Sequence, residues 1–130
     1  MSGLPTPAQA LCALRLLHST GSSSQNAEDL LLVPTLLRAA GGGPGTFVEM
    51  GALDGLTYSN TLVLERCFNW TGVLLEANPA NYAKLLRSKR ANNAKLVHAA
   101  VCKEGEHVEI SAQGGPVRHA PPPPTHPAPF

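Results

Sequence analysis

Thr46-Phe47-Val48-Glu49-Met50-Gly51-Ala52-Leu53-Asp54-Gly55, followed one helix length later by Gly72-Val73-Leu74-Leu75-Glu76-Ala77-Asn78-Pro79, decides how this chain is read. Each stretch opens with β-preferring or apolar residues and carries a carboxylate at or near its strand end. The second run is almost wholly apolar, the pattern of a parallel strand covered on both faces. Between them, Gly51 to Thr57 forms a glycine-containing loop, and Ser59 is placed to cap a helix through Leu62, Val63 and Phe68. Asn78-Pro79 starts another helix, with a capping side chain before a proline at the first helical position. In it Tyr82, Leu85 and Leu86 form the buried side, while Lys84, Arg87 and Ser88 point outward.

Downstream, Lys95 to Cys102 holds a third strand, Glu104-Gly105 a turn, and His107 to Ala112 a fourth strand. The order β-α-β-α-β-β predicts an α/β fold: a Rossmann-like, mostly parallel sheet of about four strands with flanking helices. Upstream, Gln25 to Ala40 reads as a helix. Asn26 is its cap, Glu28 and Asp29 complement its dipole, and Leu30, Val33 and Leu37 form its apolar stripe. Pro34 is expected to kink or split it, and Gly41 to Gly45 end it. The chain therefore divides into a flexible segment 1–23, with one helical turn around Ala8 to Leu17, a folded domain 24–112, and a disordered proline-rich tail 113–130 containing Pro121 to Pro124.

The hydrophobic fraction of 43% suits a globular domain. Ten basic against nine acidic residues leave a net charge of +1, which argues against a nucleic-acid partner. No apolar run approaches the ~20 residues of a membrane span. Cys12, Cys67 and Cys102 are odd in number and widely spaced. They suggest neither a disulfide framework nor a zinc motif, and fit a reduced, cytoplasmic compartment. The histidines lack metal-ligand spacing, so no metal is expected, and His98 and His107 read as surface or strand residues. Lys84, Arg87, Lys89 and Arg90 read as a solvated helix end.

Ligands of open parallel α/β sheets bind beyond the carboxyl ends of the strands. After the first strand the spacing is acid-x-Gly-x-x-x-Gly, from Glu49 through Gly51 to Gly55. Gly51 permits a sharp turn and close approach of a ligand, and Gly55 permits a second bend. Glu49 is placed to meet a donor or positive charge. Glu76, ending the second strand, can accept both hydrogen bonds of a ribose diol. Two acids without a neighbouring lysine suit a nucleoside with a cationic centre. There is no P-loop, and the glycine register differs from the dinucleotide fingerprint. Structural readings stand beside these: Glu49 as a cap for the next helix, Gly51 and Gly55 as turn residues, Asn60 as a helix-start residue and Asn78 as an N-cap.

Taken in order, these residues resemble the FkbM family of class I S-adenosylmethionine-dependent methyltransferases. The matching series is Ser24-Gln25 with Glu28-Asp29, Phe47 to Ala52, Asp54-Gly55, Ser59-Asn60-Thr61 with Leu64-Glu65, Trp70-x-Gly72, Leu75 to Pro79, Arg90, and Ala99 to Cys102. It covers roughly residues 24–110. The resemblance implies S-adenosylmethionine as cofactor, held by Glu49, Gly51, Ala52, Asp54, Gly55, Asn60, Glu76, Ala77 and Asn78, with Gln25 as a further cofactor-facing candidate. It implies O-methylation of a hydroxyl on a sugar, lipid-linked or metabolite acceptor. The family's sheet has seven strands and this chain supplies about four, so the expectation is a truncated, incomplete class I methyltransferase fold. Its cofactor half is present, and no residue is assigned as catalytic base. Such a half-sheet leaves an open edge and an uncovered apolar face. Two other classes fit part of the pattern: a nicotinamide-dependent oxidoreductase fragment, sharing the ribose acid, and a non-catalytic interaction protein with a degenerate domain. Arg118-x-x-Pro121-x-x-Pro124 would serve the latter as a polyproline ligand for an SH3-type groove.

Overall fold

The computed structural model describes residues 4–20, 24–90, 93–103, 108–110 and 118–119. In chain order the elements are α1 (Pro7–Thr20), α2 (Glu28–Ala39), β1 (Thr46–Met50), α3 (Leu62–Phe68), β2 (Thr71–Glu76), α4 (Pro79–Leu85), β3 (Ala94–His98), β4 (Val108–Glu109) and β5 (Arg118–His119). The fold is α/β: β1, β2 and β3 lie in that order in an open, all-parallel sheet with helices beside it, an arrangement compatible with part of a Rossmann-like fold.

Among the described residues the main sheet has three strands, not about four. Of the expected fourth strand, His107 to Ala112, the structure describes residues 108–110; there Val108 and Glu109 pair antiparallel with Arg118 and His119 in a separate two-stranded sheet. Arg118 of the proposed polyproline ligand thus lies in β5, whereas Pro121 to Pro124 fall outside the described residues. The third strand ends at His98 and not at Cys102; its last ladder bond runs from Ala99 N–H to the Glu76 carbonyl (3.2 Å).

The register puts Phe47, Glu49, Leu74, Glu76, Ala94 and Leu96 on one face of the sheet. That face carries the core: Phe47, Leu74 and Ala94 pack with Leu85 of α4, Val63, Leu64 and Phe68 of α3, and Trp70. Val48 and Met50, on the opposite face, are 65% and 64% exposed. On that opposite face Val73, Leu75 and Val97 are half-buried, so it is open at β1 and only partly covered at β2 and β3.

Helix in the N-terminal segment extends well beyond the single turn expected around Ala8 to Leu17. α1 is a 14-residue helix started by a reciprocal capping box: Thr6 N–H donates to the Gln9 side chain (2.9 Å), and Gln9 N–H donates to the Thr6 hydroxyl (3.2 Å). Pro7 occupies the first helical position. α1 packs on α3, and a Cys12–Cys67 disulfide joins them with Cα atoms 5.5 Å apart. This corrects the expectation drawn from an odd, widely spaced cysteine count, since the fold juxtaposes two of the three. Cys102 is exposed and lies outside this disulfide.

Three local readings also change. Asn26 does not cap α2: its backbone and side-chain N–H groups donate to Glu28 (2.9 and 3.0 Å), while Ser24 exchanges hydrogen bonds with buried Asp29. The Asn26 backbone bond leads the interactions that hold the Glu28 carboxyl down at about 2. Pro34 sits inside α2 without splitting it. Of the expected apolar positions, Val33, Leu37 and Leu85 are buried, but Leu30 and Leu86 are about half exposed. Among the described residues, no helix is long and apolar enough to cross a membrane.

Candidate functional site

Glu49 and Glu76 stand on the same sheet face, near the C-terminal ends of adjacent parallel strands, because Glu49 pairs with Leu74 and Glu76 lies two residues further along. The loop after β1 folds across the end of β2. Gly51 and Ala52 both donate their N–H to the Leu75 carbonyl (2.9 and 3.0 Å). Leu53 donates its N–H to one Glu76 oxygen (2.8 Å), and Asn78 N–H reaches the other (2.7 Å). Glu76, 5% exposed, therefore clamps the loop to the start of α4. Ala77 and Asn78 continue this turn, and Asn78 caps α4 by accepting from Ala80 N–H and Asn81 N–H.

Gly51 and Gly55 both have positive φ, 73° and 81°, but they differ in surroundings. A Cβ on Gly51 would meet nothing within 4 Å, so open space adjoins the backbone there. A Cβ on Gly55 would lie 2.6 Å from Leu85 and 2.9 Å from the Ser88 hydroxyl, so Gly55 is a packing position. Ala52 is buried. Partial burial pushes the Asp54 carboxyl up, but donated bonds from Thr57 N–H, Leu56 N–H and the Thr57 hydroxyl outweigh it and hold the group below its ordinary value.

Glu49 is turned inward. Its carboxylate accepts from the Ser59 hydroxyl (2.9 Å), Asn60 N–H (3.0 Å) and the Thr61 hydroxyl. This matches the reading of Glu49 as an anchor for the start of the next helix. It also explains why Ser59 does not cap α3: Thr61 occupies the N-cap position without a side-chain capping bond. Asn60 Oδ1 is buried with no hydrogen-bond partner among the described residues.

Arg90 belongs to this site and not to a solvated helix end. It is 1% exposed. Nε donates to Glu65 (2.5 Å), Nη1 to the Gly55 carbonyl (2.6 Å) and the Ser59 hydroxyl (3.0 Å), and Nη2 to the Thr61 hydroxyl (2.9 Å). Nη2 also lies 3.9 Å from Glu49. The clue in the sequence was Glu65, a charge within the apolar run Leu62 to Phe68, which needs a buried partner. At the end of β3, His98 stacks on Tyr82 at 4.8 Å and contacts the Ala77 carbonyl, a pairing that residue spacing alone does not reveal. Gln25 is exposed. Among the described residues, no group of His, Cys, Asp or Glu could hold a metal ion.

The arrangement is a strand-end site: a backbone bend beside open space, backed by two carboxylates held by hydrogen bonds from the chain itself. No protein-family model, curated protein or solved structure matches the chain.

Proposed function

We propose that this chain carries the cofactor-binding part of a Rossmann-like, S-adenosylmethionine-dependent methyltransferase of FkbM type, directed at a hydroxyl of a sugar, lipid-linked or metabolite acceptor. One observation carries the reading: Glu49 and Glu76 share a sheet face at neighbouring strand ends, with the Gly51 bend opening onto free space between sequence positions they anchor. The residues fit the cofactor. Each Glu76 oxygen accepts one backbone N–H, and a carboxylate offers about four acceptor positions, so the ribose hydroxyls can be accommodated. The buried Asn60 Oδ1, without a partner among the described residues, is a further acceptor beside the Glu49 cluster.

When bound, the cofactor supplies an electrophilic methyl group on a sulfonium centre. The chain's own contribution is placement. Glu76 orients the loop, Gly51 admits the ligand to the backbone, and Glu49 with Arg90 keeps residues 59–61 from collapsing into the opening. Fixed geometry of this kind lowers the cost of ordering on binding. Calorimetric titration of the full chain with S-adenosylmethionine tests the reading. Saturable binding that weakens at least about tenfold in Glu76→Ala, with NADH failing to compete, is expected. Absence of binding, or unchanged affinity in a folded Glu76→Ala protein, overturns it; NADH binding instead would favour the oxidoreductase alternative.

A further inference from the structure

A second concavity lies away from the strand ends. A cavity of about 740 Å³ opens between α1, α2 and α3, within the ~300–1,000 Å³ span of small-molecule sites. Ala10, Ala13 and Leu17 supply the α1 wall at helical spacing, Val33 and Leu37 the α2 wall, and Phe68 the contribution of α3. Leu14 and Leu30 also line it yet are 65% and 48% exposed, so its mouth is apolar and open. The α1 wall is held covalently, through Cys12 to Cys67 on α3.

Two charged residues lie at opposite ends of the α2 wall, nine positions or about 13 Å apart along the helix. Asp29 is 1% exposed and bonded to Ser24, so it is closed to a ligand headgroup. Arg38, in the last turn of α2, is exposed and makes no ion pair among the described residues. Among the described lining residues, polarity therefore runs from a mostly apolar interior, whose one carboxylate is already bonded to Ser24, to the accessible cation of Arg38 at the rim. We propose that this cavity binds a single-chain amphiphile with a negatively charged head, its unbranched chain between α1 and α2 and its head at Arg38. The lining shares no residue with the strand-end site, so the proposal is independent of the methyltransferase reading.

The probe is dodecanoate below its micelle concentration, titrated into the full chain by calorimetry and followed by methyl NMR. Saturable one-to-one binding with shifts centred on Val33, Leu37 and Val63 is expected. Arg38→Gln should weaken dodecanoate about two- to fivefold, the range of an exposed ion pair, and leave dodecanol binding unchanged. Ala13→Phe and, separately, Ala10→Phe should block both ligands while the far-UV spectrum is retained. The proposal fails if the wild-type protein shows no saturable binding, if the shifts map to the sheet, or if Arg38→Gln affects both ligands equally. It also fails if the chain binds only phospholipid vesicles, or if self-association covers the leucine rim.

Discussion

Replacing Arg90 is the sharpest test of the structure around the strand-end site. The Arg90→Met substitution keeps much of the aliphatic stem and removes the guanidinium. In the wild-type protein that group is 1% exposed and satisfies Glu65, the Gly55 carbonyl, Ser59 and Thr61 together. Glu65 is itself 5% exposed, so its carboxylate would be left inside without its cation. Breaking one side of a buried pair costs about 3–5 kcal/mol, whereas replacing both partners by apolar groups of similar volume is often close to neutral. Arg90→Met should therefore lose about 3–5 kcal/mol in urea unfolding followed by far-UV circular dichroism. Adding Glu65→Met should restore part of the loss, with a coupling of about 1–3 kcal/mol. If Arg90→Met unfolds within about 0.5 kcal/mol of wild type, the scale of an ordinary surface change, then Arg90 is a solvated cation and the buried network is wrong.

Reducing the Cys12–Cys67 bond, which closes a loop with a sequence separation of 55, should lower stability by about 2–4 kcal/mol; an unchanged urea midpoint with and without reductant would remove the crosslink. Gly55→Ala should cost clearly more than Gly51→Ala in thermal melts, because only the former adds a collision with Leu85 and Ser88 to the strain of positive φ; equal losses would contradict the packing at Gly55. Asn78→Ala should cost about 1 kcal/mol through loss of the α4 cap, read as a lowered urea midpoint. For Asp54 and Glu28, whose carboxyls are held below their ordinary values, the linked stability is present above the unfolded-state value of about 4 and is lost as pH falls through the lowered folded value. Carbon-detected NMR titration should place the Glu28 midpoint near 2; a midpoint of about 4 or above for either residue would negate its hydrogen bonds.

The parts of the fold legible in the sequence are those fixed by local chemistry. Thr46–Met50 is a strand with the expected bounds, and Asn78-Pro79 starts a helix with the expected cap. Both depend on side chains adjacent in sequence. The helix at α1 was also locally encoded, in Thr6-Pro7-Ala8-Gln9, but that capping box is short and sits in a stretch whose composition suggests mobility. Long-range features were hidden for a different reason. Cys12 meets Cys67, and Arg90 meets Glu65, only after α1 and the segment following α4 have packed on α3 and its flanking turns. Four neighbouring basic residues gave no sign that one of them is withdrawn from water. Likewise, the apolar β2 run could not reveal that Val48 and Met50, on the face opposite the core, would stay exposed.

The two acids read first as ligand contacts both hold the same loop from the strands on either side, and this joins the two readings instead of opposing them. The loop after β1 is held in three places: Leu53 N–H by Glu76, the Gly55 carbonyl by Arg90, and residues 59–61 by Glu49. A carboxylate with backbone donors already in place has its orientation fixed and still has acceptor positions to offer. The roles can be separated at Glu76 by Gln, which retains one carbonyl acceptor of nearly the same shape. If Glu76 serves only the loop, Glu76→Gln should alter stability while leaving no adenosyl ligand to lose. If it also receives the ribose, ligand affinity should fall by more than the loss of stability accounts for, because the amide can no longer accept on both sides.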